Sequence, residues 1–342
     1  MDQSTQQQPA IGRIAWIDTA KGVCILLVIL LHSVSYYRAI KIGQPPDAMA
    51  DVVDFLSPVR MPTLVLLSGV MAPFGMRKGR KGFLAGRARI LLWPYLIWCV
   101  IWAFASGDAA KLLTAKWWLG GWYLWFLLFI LLYSLVAAIV PARLHLVLAG
   151  YAYVASLLMD DGTKYGERLF FFMSLFLVGS FLGQHFKRTE AALASPITLL
   201  LSPAALGVLI YSAMDGPVRY SPHDYGIIGI VVTTVLALCW RAADARHWPV
   251  ITHLGRNSLT IYLVHMPVIA VILRGLRAIG FNSFYPSFLA AFLLSIAASL
   301  AAIRLRRRWR AIDALFAFPI LKRRATPAPA PVPSEAEAVQ VP

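Results

Sequence analysis

The sequence has little charge, and negative charge is the scarcer of the two signs. Of the 342 residues only 14% are Asp, Glu, Lys or Arg, against about 25% in a soluble domain. Acidic residues number 16 and basic residues 32, while hydrophobic residues make up 59% of the chain. The mean hydropathy is +0.68. This composition argues against a soluble globular domain and predicts one polytopic membrane domain.

Cysteine is also scarce, and several familiar catalytic motifs are missing. Cys24, Cys99 and Cys239 all fall in apolar segments, and their spacing indicates neither a disulfide framework nor a metal site. The chain has no G-x-S-x-G elbow, phosphate-cradling glycine loop or H-x-E motif, so we expect no metal. It has no internal repeat, which weakens a transporter interpretation. The basic residues lie mainly between apolar segments, a pattern of membrane topology rather than of nucleic-acid binding.

The apolar segments predict an all-α transmembrane bundle of about ten helices. We expect a polar, disordered lead at 1–12, a membrane domain at 13–303, and a basic, then Pro/Ala-rich, cytoplasmic tail at 304–342. The candidate spans are roughly 16–37, 52–74, 89–106, 122–140, 144–159, 168–185, 196–214, 225–240, 257–273 and 286–303.

The distribution of Lys and Arg predicts that both termini are cytoplasmic. With that orientation the inner segments hold 22 basic residues and the outer segments 9, while Arg60 lies within the second span. Cytoplasmic loops carry an excess of Lys and Arg. We therefore predict a multi-pass protein of the cell inner membrane.

The first span carries two ionisable residues on one face. Lys21 and His32 are eleven residues apart, which is about three helical turns and about 16 Å along the axis. An ionisable residue within a membrane helix is a functional candidate, and neutral imidazole can act as a general base. We predict that His32 is catalytic and that Lys21 binds an anionic part of a cofactor. The alternatives are a packed histidine, a topological anchor at Lys21, and a simple Asp18–Lys21 pair.

The second span carries an arginine between two prolines, Pro58 and Pro62. Such a helix is expected to be kinked, and Arg60 is costly in lipid, so we expect it to face the bundle interior or a wet cavity. The alternative is that Arg60 snorkels to the outer interface. The basic loop that follows is typical of a topological anchor, but Arg87 and Arg89 abut the third helix and could hold phosphate.

The ninth span has a polar face. Ser258, Tyr262 and His265 follow i, i+4, i+7 spacing, and Asn257 is a suitable residue for the helix start. A polar stripe in a membrane bundle can line a substrate site or serve as glue between helices. The aromatic residues at 122–126 are typical of a membrane interface.

Taken in order, these residues resemble the acyltransferase-3 family of integral membrane proteins. The first-helix signature is Asp18-x-x-Lys21-Gly22 followed by His32. The residues of this motif most resemble those of the fucose 4-O-acetylase-like branch. The other matches are Met61-Pro62 and Ser68-Gly69, Arg89 before Pro94-Tyr95, Trp125-Phe126, and Gly255-x-Asn257-Ser258-Leu259-x-x-Tyr262-x-x-His265. The chain departs from the pattern with Arg60 where the branch often has His, and with Arg87-x-Arg89 in place of Arg-x-x-Arg.

The resemblance implies O-acylation, usually O-acetylation, of a sugar hydroxyl in a cell-surface or exported polysaccharide, with acetyl-CoA as acyl donor. The implied partners are a carbohydrate or lipid-linked glycan and membrane lipid, and the oligomeric state stays open. The implied site has His32 as the catalytic residue, Asp18 in a structural role, and Lys21, Arg87 and Arg89 on the cofactor. The residues predicted to bind substrate are Arg60, Ser68, Asn257, Ser258, Tyr262 and His265. The alternatives are a transporter or flippase for a lipid-linked glycan, and a glycan polymerase or ligase.

Overall fold

The computed structural model describes residues 14–319, except 78, 121, 160–163, 215–217, 219 and 244–247. Within these residues the regular structure is helical and no strand forms, so the all-α prediction is confirmed. The predicted lead at 1–12 and the Pro/Ala-rich end of the tail lie outside the described residues. The helices are α1 (Ala15–Ala39), α2 (Asp47–Phe55), α3 (Ser57–Val70), α4 (Ala72–Met76), α5 (Arg80–Arg87), α6 (Trp93–Ala105), α7 (Ala115–Trp118), α8 (Trp125–Ile139), α9 (His145–Leu158), α10 (Lys164–Gln184), α11 (Phe186–Ala194), α12 (Pro196–Leu199), α13 (Ser202–Met214), α14 (Tyr225–Arg241), α15 (Pro249–Arg256), α16 (Ser258–Ala278), α17 (Phe284–Arg308) and α18 (Arg310–Asp313).

Nine helical segments of the described chain are long and apolar enough to cross a membrane, and they coincide with nine of the ten predicted spans. The exception is the fifth, predicted at 144–159. There the structure has an apolar helical segment, Ala142–Leu158, that is shorter than the others. Its 17 residues extend about 25 Å at 1.5 Å per residue, less than the ~30 Å of a hydrocarbon core. Pro141 immediately precedes the segment and keeps it from starting earlier.

The tightest contact around the first helix joins α1 to α15. A Cβ added at Gly255 would lie 1.6 Å from the Asp18 carbonyl oxygen, and one added at Gly22 would lie 2.1 Å from the Ile251 carbonyl oxygen. The two backbones therefore touch directly, as small residues allow in membrane bundles. Beside this contact Arg256 Nε lies 3.2 Å from Asp18 Oδ2. The glycines of the two sequence motifs thus serve helix packing, and Asp18 pairs with Arg256.

The opposite end of α1 is joined to the end of α16. Arg277 Nη1 donates to the Ile40 carbonyl oxygen at 2.6 Å. One turn earlier on α16, Arg274 donates to the Ser106 carbonyl oxygen beyond the end of α6. Helices α1 and α16 therefore run side by side, with the Asp18–Arg256 contact at the predicted inner end and the Ile40–Arg277 contact at the predicted outer end.

A second close helix pair, α3 and α10, also depends on glycine. Added Cβ atoms at Gly69, Gly179 and Gly183 would each lie 2.0–2.2 Å from a carbonyl oxygen of the partner helix. Gly179 and Gly183 are four residues apart and so lie on one face of α10. This face holds α3, and with it Arg60, against the bundle.

The last membrane helix extends beyond its predicted end, and the chain then folds back. Helix α17 continues to Arg308 rather than 303. The arginines in its last turn can extend to water, and their positive charge stabilises the negative end of the helix dipole. Residues after α17 then pack on α6. Trp93 and Trp98 donate their indole N–H groups to backbone carbonyls at 314 and 315, at 2.6 and 2.9 Å, and Phe316 is buried.

Candidate active site

Two histidines from distant parts of the chain meet inside the bundle. His32 Nδ1 lies 2.9 Å from His265 Nε2, and the rings stack with centroids 5.1 Å apart. His265 is completely buried, whereas His32 is partly exposed although it lies well inside α1. One histidine is therefore completely enclosed by the protein, and the other is only partly buried.

The hydrogen bonds of the pair define which nitrogen of His32 is free. His265 Nδ1 lies 3.1 Å from the Ile261 carbonyl oxygen, which can only accept, so His265 Nδ1 carries the proton. In the neutral ring His265 Nε2 is then an acceptor, and His32 Nδ1 must donate to it. Burying an unpaired charge costs free energy, so the neutral form of both rings is the one to consider. His32 Nε2 is left with its lone pair, as a general base requires.

Two tyrosines fix the backbone around His265. Tyr262 donates its hydroxyl to the Tyr123 carbonyl oxygen, and Tyr123 donates to the Leu263 carbonyl oxygen at 2.9 Å. The Tyr123 ring stands edge-on to His265, with centroids 5.7 Å apart. The turn before α8 is thereby tied to α16 by two hydrogen bonds just before His265.

Arg60 is a buried cation near this pair. Its side chain is 5% exposed, its Nη1 donates to the Val53 carbonyl oxygen at 3.0 Å, and its Nε has no hydrogen-bond partner among the described residues. The guanidinium is close enough to His32 to interact with it electrostatically. Arg60 therefore offers an N–H donor inside the bundle rather than at its surface.

Lys21 and Arg87 lie near one another at the predicted inner end. Their charges interact, and Lys21 is also within electrostatic range of Asp18. No described residue forms a hydrogen bond or ion pair with the Lys21 ammonium, because the Asp18 carboxylate is bound by Arg256. Both cations are only partly exposed. Together they form a cationic site about 16 Å from His32 along α1.

The other predicted site residues are engaged elsewhere. Arg89 Nε donates to the Phe318 carbonyl oxygen at 2.8 Å, so its guanidinium holds the segment after α17. Ser68 Oγ donates to the Leu64 carbonyl oxygen at 2.7 Å, and Asn257 Nδ2 donates to the His253 carbonyl oxygen at 2.9 Å, each within its own helix. Ser258 is partly exposed at the first position of α16, seven residues before His265. The structure does not bring these four residues to the histidine pair.

Sequence reasoning missed the role of the aromatic turn at 122–123. The sequence predicts that Trp122 and Tyr123 are interfacial residues, yet Tyr123 contacts His265 and is 2% exposed. The only sequence signal is that this turn immediately precedes an apolar helix. Among the described residues there is no cluster of three or more His, Cys, Asp or Glu side chains that could hold a metal ion.

One comparison with known proteins identifies a family. A family model described as an acyltransferase domain matches residues 14–304. No curated protein matches the chain, and no solved structure matches it. The matched range includes every residue of the histidine pair, the two tyrosines and the cationic site.

Proposed function

Since the chain belongs to the acyltransferase-3 family and is therefore a multi-pass membrane acyltransferase, we propose that it is an O-acetyltransferase of the cell inner membrane. Acetyl-CoA is the donor, and the acceptor is a sugar hydroxyl of a cell-surface or exported glycan. The observation that carries the proposal is the His32–His265 pair, which leaves a basic nitrogen on a partly buried histidine inside the bundle.

The reaction needs only proton transfer and nucleophilic attack. His32 Nε2 takes the proton of the acceptor hydroxyl while that oxygen bonds to the thioester carbonyl carbon. The C–S bond then breaks, and the CoA thiolate takes the proton from His32, which returns the ring to its neutral form. His265 orients His32 through Nδ1 and stabilises the imidazolium that forms between the two steps. The Arg60 Nε–H is an available donor for a substrate oxygen.

The two ends of the site suit a donor and an acceptor on opposite sides of the membrane. Lys21 and Arg87 offer positive charge for CoA phosphates at the predicted inner end. The acyl end of an extended pantetheine arm would then reach the level of His32. Along α1, His32 lies eleven residues from Lys21 and seven from the end of the helix at Ala39, so acyl transfer would occur nearer the predicted outer surface.

The test is transfer of radiolabelled acetyl from acetyl-CoA to glycan by the purified protein in lipid vesicles. We expect His32→Ala to lose acetyl transfer by about 10²–10⁴-fold, the usual contribution of a general base, with normal expression and insertion. His185→Ala is the matched control, because His185 is exposed and bonds only within its own helical region. Glycan that crosses the vesicle membrane without incorporating label would instead support a flippase. Transfer by a well-folded His32→Ala protein would overturn the proposed role.

A further inference from the structure

A small cavity opens at the end of the bundle that is predicted to face outward. It has a volume of about 140 Å³ and is lined by Trp122, Trp125, Phe129, Tyr165 and Arg168. About half of the surface of Trp122 (49%) and Tyr165 (55%) is exposed, so the cavity opens to the outside. A water molecule takes about 30 Å³, so the cavity can hold a single ring but not a long oligosaccharide.

The cavity is linked to the histidine pair through the residues next to its own walls. Tyr123, which follows Trp122, contacts His265, and Phe126, which follows Trp125, contacts Tyr262 with centroids 5.3 Å apart. The Trp122 ring also contacts Tyr36, with centroids 5.7 Å apart. Tyr36 lies four residues after His32 and so on the same face of α1. A molecule in the cavity is therefore separated from the reacting histidine by one layer of aromatic rings.

The lining differs from a belt of interfacial aromatic residues. Interfacial Trp and Tyr side chains lie at the level of the lipid headgroups, whereas these rings surround a shared space. Trp122 has a positive φ of 53°, a conformation that is unusual for a bulky residue and is typically found at functional sites. Its backbone is held there by the aromatic contacts of Trp122 with Tyr36 and Trp102.

Arg168 gives the cavity its charge. Its guanidinium lies over the Tyr220 ring at 5.8 Å, and no described residue forms a hydrogen bond or ion pair with it. A guanidinium has five N–H donors and binds carboxylate or phosphate in a two-pronged geometry. The aromatic rings present flat apolar faces of the kind that stack on the C–H face of a sugar.

We propose that this cavity binds the acceptor, and that the acceptor is a sugar ring with an anionic group held by Arg168. This rests on the proposed function, because it names the class of hydroxyl-bearing substrate for the same site. The anionic group is either the carboxylate of a uronic acid or the phosphate of a glycosyl phosphate. The ring stacks on the tryptophans and anchors the acceptor, and the layer of aromatic rings separates it from the histidine pair, so the reacting hydroxyl lies on a part of the glycan outside the cavity.

The test is direct binding to detergent-purified protein, measured by calorimetry, with three probes of similar size. These are galacturonic acid, galactose 1-phosphate and neutral galactose, each a single sugar ring. We expect the wild type to bind one anionic probe at least tenfold more tightly than the neutral one. Tighter binding of galacturonic acid identifies a carboxylate, and tighter binding of galactose 1-phosphate identifies a phosphate.

Two variants and a control decide whether the cavity is responsible. Arg168→Gln should abolish the preference for the anionic probe, and Tyr165→Ala should weaken all sugar binding while the protein stays folded, because Tyr165 is half exposed. Arg38→Gln, which removes an exposed arginine at the same end of the bundle, should change neither. Equal binding of charged and neutral probes, or an unchanged preference in Arg168→Gln, overturns the proposal.

The binding assay does not depend on catalysis, so the two proposals can fail separately. His32→Ala should bind the anionic probe like the wild type and still lose acetyl transfer. If His32→Ala keeps transfer while Arg168→Gln loses its preference, the catalytic role of His32 fails and the acceptor cavity stands. If the preference is unchanged in Arg168→Gln while His32→Ala loses transfer, the acceptor cavity fails and the catalytic role of His32 stands.

Discussion

At the scale of the residue, the chemistry depends on which nitrogen of His32 is unprotonated. His265 controls this because its Nε2 accepts from His32 Nδ1, while its own Nδ1 is fixed by the Ile261 carbonyl. A histidine that loses the partner of one nitrogen can change tautomer or rotate, and either change removes the base from the substrate. His265 is therefore a positioning residue in the proposed mechanism.

Replacing His265 separates positioning from packing. We expect His265→Ala to lower kcat by roughly 10–100-fold, as the loss of an orienting partner does, with little change in the KM for acetyl-CoA. His265→Gln should recover part of the loss, because its side-chain oxygen can accept from His32 Nδ1. Steady-state kinetics and a melting curve for each variant provide the measurement. A lower Tm with no recovery in the Gln variant would assign His265 to packing alone.

Lys21 provides a second prediction at this scale. If its charge binds CoA phosphate, Lys21→Ala should mainly raise the KM for acetyl-CoA with little change in kcat, because binding common to ground and transition states is lost. Lys21→Arg should retain much more affinity, since the charge is kept. Calorimetry with acetyl-CoA measures this directly, with the exposed Lys187→Ala as control. Unchanged affinity in Lys21→Ala would make Lys21 a topological anchor.

The individual site residues were largely visible in the sequence, but their partners were not. His32 is recognisable because an ionisable group interrupts an apolar helix, and His265 because it continues a polar stripe. Their contact depends on residues 233 positions apart, and no local pattern records such a pairing. The partner of Arg89 could not be predicted either, because it is the backbone carbonyl of residue 318, and every residue has such a carbonyl.

At the scale of the element, the site depends on how closely α1 approaches α15. The contacts at Gly22 and Gly255 fix the position of α15 along α1. Because α16 follows α15 directly, they also help to set the 2.9 Å distance between the two histidines. A methyl group at either position would force the helices apart. We therefore expect the glycines of the two motifs to be necessary for the histidine pair although neither one touches it.

Substitution of Gly255 tests this dependence. A Cβ at this position meets the Asp18 backbone, which cannot rotate away, so we expect Gly255→Ala to destabilise the protein by about 1–3 kcal/mol and to reduce kcat. Gly207→Ala is the matched control, because its Cβ would meet nothing within 4 Å and alanine favours a helix over glycine. Apparent Tm values in detergent compare the two. Equal effects of both changes would contradict a close contact at Gly255.

The sequence predicted most elements because membrane helices carry their signal in composition. Nine spans were predicted, although the third begins at Arg80, nine residues earlier than expected, because the basic segment that was predicted to be a loop is helical. The fifth was harder to define because 144–159 is apolar but short, and hydropathy alone cannot decide whether such a segment crosses the bilayer. The end of α17 was missed because a run of arginines resembles a loop even when it continues a helix.

At the scale of the whole molecule, the short segment Ala142–Leu158 decides the topology. If it crosses, the chain has ten spans and both termini lie inside. Labelling of single introduced cysteines should then place positions near Gly79, Arg143 and Ala328 in the cytoplasm, and positions near Gly162 and Gly216 outside. The native cysteines are all buried, so their background labelling should be low. Opposite accessibility of Gly79 and Ala328 would mean an odd number of spans between them.

The pairing of an early helix with a late one also has a consequence for biosynthesis. A ribosome adds roughly 5–20 residues per second, so the 233 residues between His32 and His265 take about 10–50 s to synthesise. During that time α1 is already inserted, but Asp18 has no Arg256 to pair with, and His32 has no acceptor for its Nδ1 proton. The reacting centre is completed only when α16 enters the bundle. A chain whose translation stops before residue 256 therefore lacks the partner of Asp18 and the partner of the proposed base, His32.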